Sequence, residues 1–384
     1  MFWIDSNRRA MPLSLAAAVA LAACSPSSGE RPDTGEITGA ARSAVIAGKD
    51  SDASQDAVVF LIHKDPASPK IGMCTGTLVA PNLVLTARHC VADADESADC
   101  AADGSPSTGG AIAGNHDPST LLVYTGKNRP PFATQKDPVP SAVGAQIVDD
   151  GAKNLCNHDL ALLVLKEPIA DVPIASLRLD GDVEKGETFT AVGWGITTAS
   201  TKPLVRQQRA GVKVVAVGPD AKASLPVPPN SFEAGEVICL GDSGGPAIAS
   251  TGAIIGLVTG GGNGQQPTAS NPSAGCVGEA AASLYTRLAP FKEVVTKGFE
   301  LAGAEPWLEG GPDPRLPKPA SECKDGAECP GSTSPSEATP AATPSATSGG
   351  CSSAPTSPSS GGLAFALAAL ALAVVSRGRR GCRG

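Results

Sequence analysis

The chain has 384 residues, with 44 Gly, 34 Pro and only 3% aromatic residues, and its formal net charge is −8 at pH 7. Since an acidic chain without a long Lys/Arg face cannot neutralise a phosphate backbone, nucleic acid is excluded as a partner. The length allows one large domain or two modest ones, and the scarcity of aromatic residues predicts that flexible segments occupy part of the chain.

Residues 1–23 have the pattern of a signal peptide, because two arginines precede a long apolar stretch that ends in small residues. The segment Leu21-Ala22-Ala23-Cys24 resembles the lipobox of bacterial lipoproteins, which implies a diacylglyceryl group on the Cys24 thiol. An ordinary signal peptide followed by an unrelated cysteine is the alternative. Either interpretation predicts an exported protein, and the 11 cysteines of the chain favour the same oxidising compartment.

Residues 24–44 lack apolar periodicity and are predicted to form a disordered stalk or propeptide. From Val45 onward, short β-branched runs alternate with Gly, Pro, Asn and Asp clusters, which predicts an all-β barrel or sandwich. One helix is predicted near Pro290–Ala302, and long loops are expected at about 92–120 and 260–280. The predicted strands are Ala57–His63, Gly76–Val79, Leu83–Thr86, Leu121–Tyr124, Leu160–Leu165, Phe189–Val192, Val212–Val217, Ala253–Val258 and Ser283–Thr286.

Residues 306–350 are dominated by Pro, Ser, Thr, Gly and Ala and are predicted to form a disordered linker, within which Cys323 and Cys329 could close a small loop. Residues 351–384 begin with Cys351 and continue into a short apolar tail and an arginine cluster. This layout resembles the C-terminal sorting tails of myxobacterial surface proteins, and a plain tail anchor is the alternative. Both predict membrane engagement at the cell envelope or outer surface, with extracellular release as a further outcome.

The first segment with chemical potential is Leu85-Thr86-Ala87-Arg88-His89-Cys90, at the end of an apolar strand. Cys74 lies earlier in the chain, and a bridge from it to Cys90 would pin the histidine segment to the neighbouring strand. Loop-closure entropy makes such a bridge worth about 3 kcal/mol. His89 is therefore a candidate base rather than an ordinary surface or core histidine.

The second segment places Asp159 immediately before the apolar run Leu160–Leu165. A carboxylate buried there needs a partner, and an imidazole N–H is a suitable one. His158 should point to the opposite face of the strand, because successive side chains alternate, and we expect it at the surface. The third segment, Gly241-Asp242-Ser243-Gly244-Gly245-Pro246, surrounds a serine with glycines that let a substrate carbonyl approach closely.

The strings LTARHC, HDLALL and GDSGGP, together with Gly193-Trp194-Gly195, resemble the signature segments of the chymotrypsin/trypsin family. The resemblance covers about residues 45–303, and we predict a protease domain over residues 45–305. Their order, His then Asp then Ser, differs from that of subtilisins and α/β-hydrolases. The resemblance implies an all-β fold of two packed antiparallel β-barrels with a C-terminal helix. It also implies a monomeric serine endopeptidase domain that acts on protein or peptide substrates. The sequence contains no metal-ligand cluster and no phosphate-binding loop, so no cofactor or metal ion is expected.

The resemblance also implies roles for individual residues. Ser243 is the expected nucleophile, His89 the general base, and Asp159 the carboxylate that orients the imidazole. Backbone N–H groups of Gly241 and Ser243 are expected to form the oxyanion hole. Thr259 occupies the position where the family has a hydroxyl that supports the aspartate.

Val45-Ile46-Ala47-Gly48 resembles the mature N-terminus of the family, whose freed amine pairs with the aspartate before the nucleophile, here Asp242. We therefore predict a zymogen that is cut between Ala44 and Val45. Arg42 is an alternative cut site, although cleavage there would misplace the amine.

By the same resemblance, Val237 is expected at the floor of the specificity pocket, with Gly261 and Ser283 on its walls. A neutral floor disfavours a buried cation, which predicts small or medium apolar residues at the substrate position before the scissile bond (P1). Gly260 replaces the tryptophan that is usual beside this pocket. Cys239 and Cys276 resemble the pair that bridges the pocket walls, and Cys100 and Cys156 remain as a further candidate pair.

Two other functions fit a chain of this kind. A surface adhesion or binding module could keep the fold and lose the chemistry, although such proteins usually lack a triad residue. A non-peptidase acyl hydrolase could use the same three side chains. We expect a proteolytic enzyme, because all three side chains and the oxyanion glycine are present together.

Overall fold

The computed structural model describes residues 45–316, except 69–70, 96, 133–137, 198–202 and 267. This part of the chain is mostly β-strand, with one α-helix, α1 (Lys292–Ala302). The strands are β1 (Lys49–Asp50), β2 (Val58–Lys64), β3 (Ile71–Ala80), β4 (Leu83–Thr86), β5 (Ala92–Ala94), β6 (Ala98–Cys100), β7 (Pro106–Gly109), β8 (Ile112–Asn115), β9 (Leu121–Tyr124), β10 (Ala142–Val148), β11 (Ala161–Leu165), β12 (Thr188–Gly193), β13 (Gln207–Val217), β14 (Ser231–Ala234), β15 (Pro246–Ala249), β16 (Ile254–Gly262) and β17 (Ala282–Arg287). Single 3₁₀ turns lie at Ala53–Gln55, Arg88–Cys90, Pro118–Thr120, Ala274–Cys276 and Ala289–Phe291.

The first barrel is closed by six antiparallel strands in the order β10-β11-β4-β3-β2-β9, with β9 paired to β10. Closure removes exposed sheet edges. Its strands are apolar on both faces, as β2 illustrates. Val59 and Leu61 pack into the main cluster of this barrel, whereas Phe60 and Ile62 pack against Trp194, which follows β12 of the second barrel.

The second barrel follows the order β13-β12-β15-β16-β17-β14 and closes through β14 and β13, while β1 adds to the free side of β13. Aromatic packing fills its interior. The rings of Phe232 and Tyr285 stack with centroids 5.0 Å apart, and Phe189 meets both at steep angles. Two antiparallel six-strand barrels confirm the predicted fold class.

Helix α1 packs on the outer face of the first barrel. Val295 and Phe299 are buried in one cluster with Leu162 of β11, and Gly298 leaves room for that leucine side chain. The helix ends at Gly303, whose φ of 64° suits glycine. We predicted a helix near Pro290–Ala302, and α1 accounts for most of that span.

The packed domain extends past the predicted linker start at residue 306. Leu177 donates to the Trp307 carbonyl and accepts from the Glu309 N–H, and Arg178 forms an ion pair with Glu309. Residues beyond 305 therefore contribute to the fold, because their backbone hydrogen bonds and this ion pair attach them to the body of the domain.

The predicted signal peptide, the stalk, the rest of the linker and the C-terminal tail lie outside the described residues. The same holds for Cys24, Cys351 and the Cys323–Cys329 pair. Within the described part of the chain, no helix has both the length and the apolar character needed to cross a bilayer.

Candidate active site

His89 lies in the 3₁₀ turn Arg88–Cys90 that follows β4. A disulfide from Cys90 to Cys74 attaches this turn to β3, with 6.1 Å between the Cα atoms. Arg88 is buried and forms an ion pair with Asp149, next to β10. The histidine segment is thus fixed on both sides by a covalent bond and a charge pair, while the His89 side chain keeps a quarter of its surface exposed.

Asp159 precedes β11 and is only 3% exposed. Its Oδ2 lies 2.8 Å from His89 Nδ1, and its Oδ1 accepts the His89 backbone N–H at 2.9 Å. The hydroxyl of Thr259 donates a third hydrogen bond, to Oδ2. Asn157, two residues earlier, adopts a φ of 67° and binds Asn230 through its side chain and its carbonyl, which fixes the approach to the aspartate.

The environment favours an ionised carboxylate beside an imidazole that binds protons readily. Burial opposes the charge on Asp159, but the charge of His89 and the hydrogen bonds from His89 and Thr259 outweigh it, so the pKa of Asp159 lies below its usual value. Burial likewise opposes protonation of His89, but Asp159 outweighs it and raises the pKa of His89 above 6.5. His89 can therefore accept a proton while Asp159 stabilises the imidazolium that results.

Ser243 lies on the glycine-rich loop before β15, and it borders a cavity of about 670 Å³ together with His89 and Asp159. Among the hydrogen bonds of the described residues, the backbone N–H groups of Gly241 and Ser243 have no acceptor. Gly241 has a φ of 101°, which a side chain would disfavour. The site thus combines a hydroxyl, an imidazole, a carboxylate and two N–H donors that have no acceptor among the described residues, which are the components of acyl transfer.

Asp242 is fully buried, and its carboxylate accepts the N–H of Gly195 at 2.8 Å and that of Cys239 at 3.0 Å. The N–H of Val45 is a third donor. A Cβ atom at Gly193 or Gly195 would overlap the carboxylate, which explains the two glycines around Trp194. Burial raises the pKa of Asp242 to about 7, and these three hydrogen bonds offset the effect only in part.

The three residues expected to line the specificity pocket are placed differently from one another. Gly261 borders the cavity. Val237 is buried in the core of the second barrel, and the Ser283 hydroxyl is occupied by the Gly235 carbonyl and by the N–H groups of Val237 and Ile238. Ile238 borders the cavity instead of Val237. Val237 packs into the barrel core and does not border the cavity, and its place at the pocket floor stays a prediction.

Two more disulfides frame the cavity. Cys239–Cys276 joins the segment before Ser243 to the loop after β16, and both of its cysteines border the cavity. Cys100–Cys156 joins the β6–β7 hairpin to the segment before Asp159. Disulfide bonds of this number are typical of exported proteins.

His158 and Thr75 lie near the site but differ in their contacts with it. His158 is 43% exposed and pairs with Asp150, away from the triad. Thr75 received no role from the sequence, yet it hydrogen-bonds to the loop of Ser243, and only the fold reveals this contact. Among the described residues, Cys74, His89 and Cys90 lie close enough together to hold a metal ion. Cys74 and Cys90 are joined in a disulfide, however, so neither has a free thiol to offer as a ligand.

Comparison with known proteins agrees with this site. The family model described as Trypsin matches residues 46–274. A "Trypsin" from Saccharopolyspora erythraea is 24% identical over 238 residues, which cover 60% of this chain and 88% of the relative. "Snake venom serine proteinase 14" from Crotalus adamanteus is 28% identical over 232 residues, which cover 57% of this chain and 77% of the relative. Because the family model covers more than half of the chain, this protein belongs to the trypsin family and is a serine endopeptidase.

Proposed function

We propose that hydrolysis proceeds through Ser243, His89 and Asp159. Ser243 Oγ attacks the carbonyl carbon of a peptide bond while His89 takes its proton, and the N–H groups of Gly241 and Ser243 stabilise the oxyanion. His89 then protonates the leaving amine, which departs and leaves an acyl-enzyme. A water molecule that gives its proton to His89 attacks the acyl group, and Ser243 recovers that proton as the carboxylate product leaves.

The observation that carries this proposal is the His89–Asp159 hydrogen bond of 2.8 Å beside a cavity that Ser243 also borders. We expect the mature protein to cleave casein or a peptide anilide and Ser243→Ala to lose about six orders of magnitude in kcat. Ser119, an exposed-loop serine in the turn Pro118–Thr120, provides the matched control, and Ser119→Ala should keep full activity. A binding module would give no turnover with either protein, and an acyl hydrolase would cleave esters but not peptides.

We further propose that the chain is a zymogen cut between Ala44 and Val45. Burial of Val45 and its hydrogen bond to Asp242 support this site, because a new amine at Val45 would lie next to a buried carboxylate. N-terminal sequencing of the active enzyme should give Val45. A start at Ser43, after Arg42, would contradict the proposal.

We propose small or medium apolar P1 residues. The acidic residues among those described around the cavity are Asp95, Asp99 and Asp159, and the pocket side near Ile238 and Gly261 is neutral. A screen of P1-varied peptide anilides should favour Ala, Val or Leu. A clear preference for Arg or Lys would refute this specificity.

Export and attachment to the cell envelope are proposed from the sequence of the termini, with lipid on Cys24, a sorting tail beginning at Cys351, or both. Proteins and peptides outside the cytoplasm are then the expected substrates. Labelling of cells with a palmitate probe should mark the full-length protein and not its Cys24→Ala variant. Equal labelling of the two would exclude lipidation at Cys24.

A further inference from the structure

Thr75 lies on β3 of the first barrel, beside Cys74, and is completely buried. Its backbone N–H donates to the Ser243 carbonyl at 2.8 Å. Its hydroxyl donates to the Gly241 carbonyl at 3.1 Å. The same hydroxyl accepts the backbone N–H of Trp194 at 3.3 Å. One residue of the first barrel therefore holds three backbone groups of the second.

Two of these three groups belong to Gly241 and Ser243, the residues whose N–H groups are the proposed oxyanion donors. Gly241 and Ser243 both direct their carbonyls at Thr75, while their N–H groups have no acceptor among the described residues. Gly241 has no side chain to restrain it, and glycine changes its backbone dihedrals at little cost. External contacts therefore hold the backbone on both sides of Gly241. The Ile196 N–H donates to the Leu240 carbonyl, in the peptide that carries the Gly241 N–H, at 2.7 Å, and Thr75 holds the Gly241 carbonyl.

A hydroxyl can make both side-chain contacts with a single atom, because it donates one hydrogen bond and accepts others. The β-branched side chain of threonine also restricts χ1, which fixes the direction of that hydroxyl. The position of Thr75 is itself fixed, since its carbonyl accepts the Thr86 hydroxyl at 2.9 Å and its neighbour Cys74 is bonded to Cys90. The same strand thus fixes the His89 turn and the Ser243 loop.

We propose that Thr75 is a positioning residue for the oxyanion hole, acting through Gly241 and Ser243. The inference rests on the proposed roles of these two residues. Without the hydroxyl, the Gly241 carbonyl and the Trp194 backbone N–H lose a buried partner. The hydrogen bond from Ile196 to the Leu240 carbonyl then restrains the Gly241 N–H from one side only, which loosens its alignment with the substrate oxygen. Because the oxyanion exists only in the transition state, the loss falls on kcat rather than on KM.

The test compares Thr75→Val, Thr75→Ser and Thr77→Val in the mature enzyme with a peptide anilide. Thr77 is the matched control, since it lies on the same strand, is equally buried, and its hydroxyl has no partner among the described residues. We expect Thr75→Val to lower kcat about tenfold, less than the 10²–10³ that follows removal of a donor, with KM within about twofold. Thr75→Ser should stay within about threefold of the parent, and Thr77→Val should match it.

A second readout is inhibition by a peptide boronic acid, which forms a tetrahedral adduct with an oxygen in the oxyanion hole. Its Ki should rise with Thr75→Val by the same factor by which kcat falls, whereas the Ki of a product peptide should not change. If Thr75→Val does not fold, the kcat values of Thr75→Ala and Thr75→Ser are compared instead, and Thr75→Ala should be the slower enzyme. Both lack the methyl group and only serine keeps the hydroxyl.

The inference is overturned if Thr75→Val retains the parent kcat, if serine fails to restore it, or if Thr77→Val loses as much. If the Ser243→Ala variant kept the turnover of the parent enzyme, that result would instead refute the proposed function. The two failures are therefore distinguishable in one set of assays.

Discussion

At the scale of single residues, the proposed mechanism requires a buried carboxylate that stays ionised. Asp159 is 3% exposed but accepts hydrogen bonds from His89 Nδ1, from the His89 N–H and from Thr259. These contacts stabilise the charge against the cost of burial and in turn raise the pKa of His89. His89, the proposed base, is therefore protonated and inactive at mildly acidic pH.

The first prediction concerns this pH dependence. Activity should rise as pH increases through the pKa of His89, so the acidic limb of kcat/KM should lie above 6.5. Asp159→Asn removes the charge but leaves the burial, which should move the limb to lower pH and reduce kcat by about four orders of magnitude. Thr259→Val, which keeps the charge, is the control. An unmoved limb in Asp159→Asn would show that this carboxylate does not set the pKa of His89.

At the scale of elements, the β6–β7 hairpin forms one wall of the cavity. Ala98, Asp99 and Ser107 border the cavity from this hairpin, and the Cys100–Cys156 disulfide joins it to the segment before Asp159. Apart from this bond, the hairpin pairs only with itself in the described sheets. The disulfide is thus one restraint on this wall, together with the hydrogen bond from the Asn154 side chain to the Gly109 carbonyl and the packing of Ala98 against a small buried cluster.

The second prediction is that the double variant Cys100→Ser/Cys156→Ser is less stable and binds long substrates more weakly. A bridge across 56 positions is worth about 4 kcal/mol by loop-closure entropy, so urea denaturation should give a lower free energy of unfolding. KM should rise for peptides long enough to reach the hairpin and stay unchanged for a short anilide. An equal KM for the long peptide in both proteins would mean that the hairpin takes no part in binding.

The strands differ in how well the sequence predicts them. Runs such as Leu83–Thr86 were predicted because they are apolar and bounded by turn residues. Ala142–Val148, Ser231–Ala234 and Pro246–Ala249 were missed, since they are mixed in polarity or follow glycines. They become strands because their neighbours pair with them, as β14 does between β13 and β17. This strand pairing is a tertiary contact, so the local sequence does not predict it.

The candidate site shows the same division. His89, Asp159 and Ser243 lie in short strings that can be recognised along the chain. The role of Val237 stays a prediction, because the direction of its side chain depends on how the backbone packs against the barrel core. Thr75 was missed since its partners are far away in sequence.

At the scale of the whole molecule, the start of the described chain reaches into the second barrel. Val45 is buried and its N–H binds Asp242, and β1 pairs with β13. Val45 has a φ of 51°, which is unfavourable for a β-branched residue. In the uncut chain, Asp242 has a pKa of about 7 because burial outweighs its hydrogen bonds. Cleavage before Val45 would place a charged amine beside this carboxylate.

The third prediction follows for the uncut chain, held inactive by Ser243→Ala. The folded-state pKa of Asp242 lies above the ordinary 3.8, so the folded protein keeps a proton that the unfolded chain releases. The contribution of this group to stability is therefore full below pH 3.8 and is lost as pH rises to about 7. Asp242→Asn, which stays neutral, provides the reference. The stability difference between the two proteins should change across this window, and a constant difference would contradict the prediction.

Mapping the adduct of a fluorophosphonate probe by mass spectrometry on the mature enzyme tests directly whether Ser243 is the nucleophile. Such probes bond to a serine only where a base and oxyanion donors activate it. We expect one modified residue, Ser243, with labelling lost in His89→Ala and in Ser243→Ala. Modification of another residue, or undiminished labelling of Ser243→Ala, would contradict this expectation.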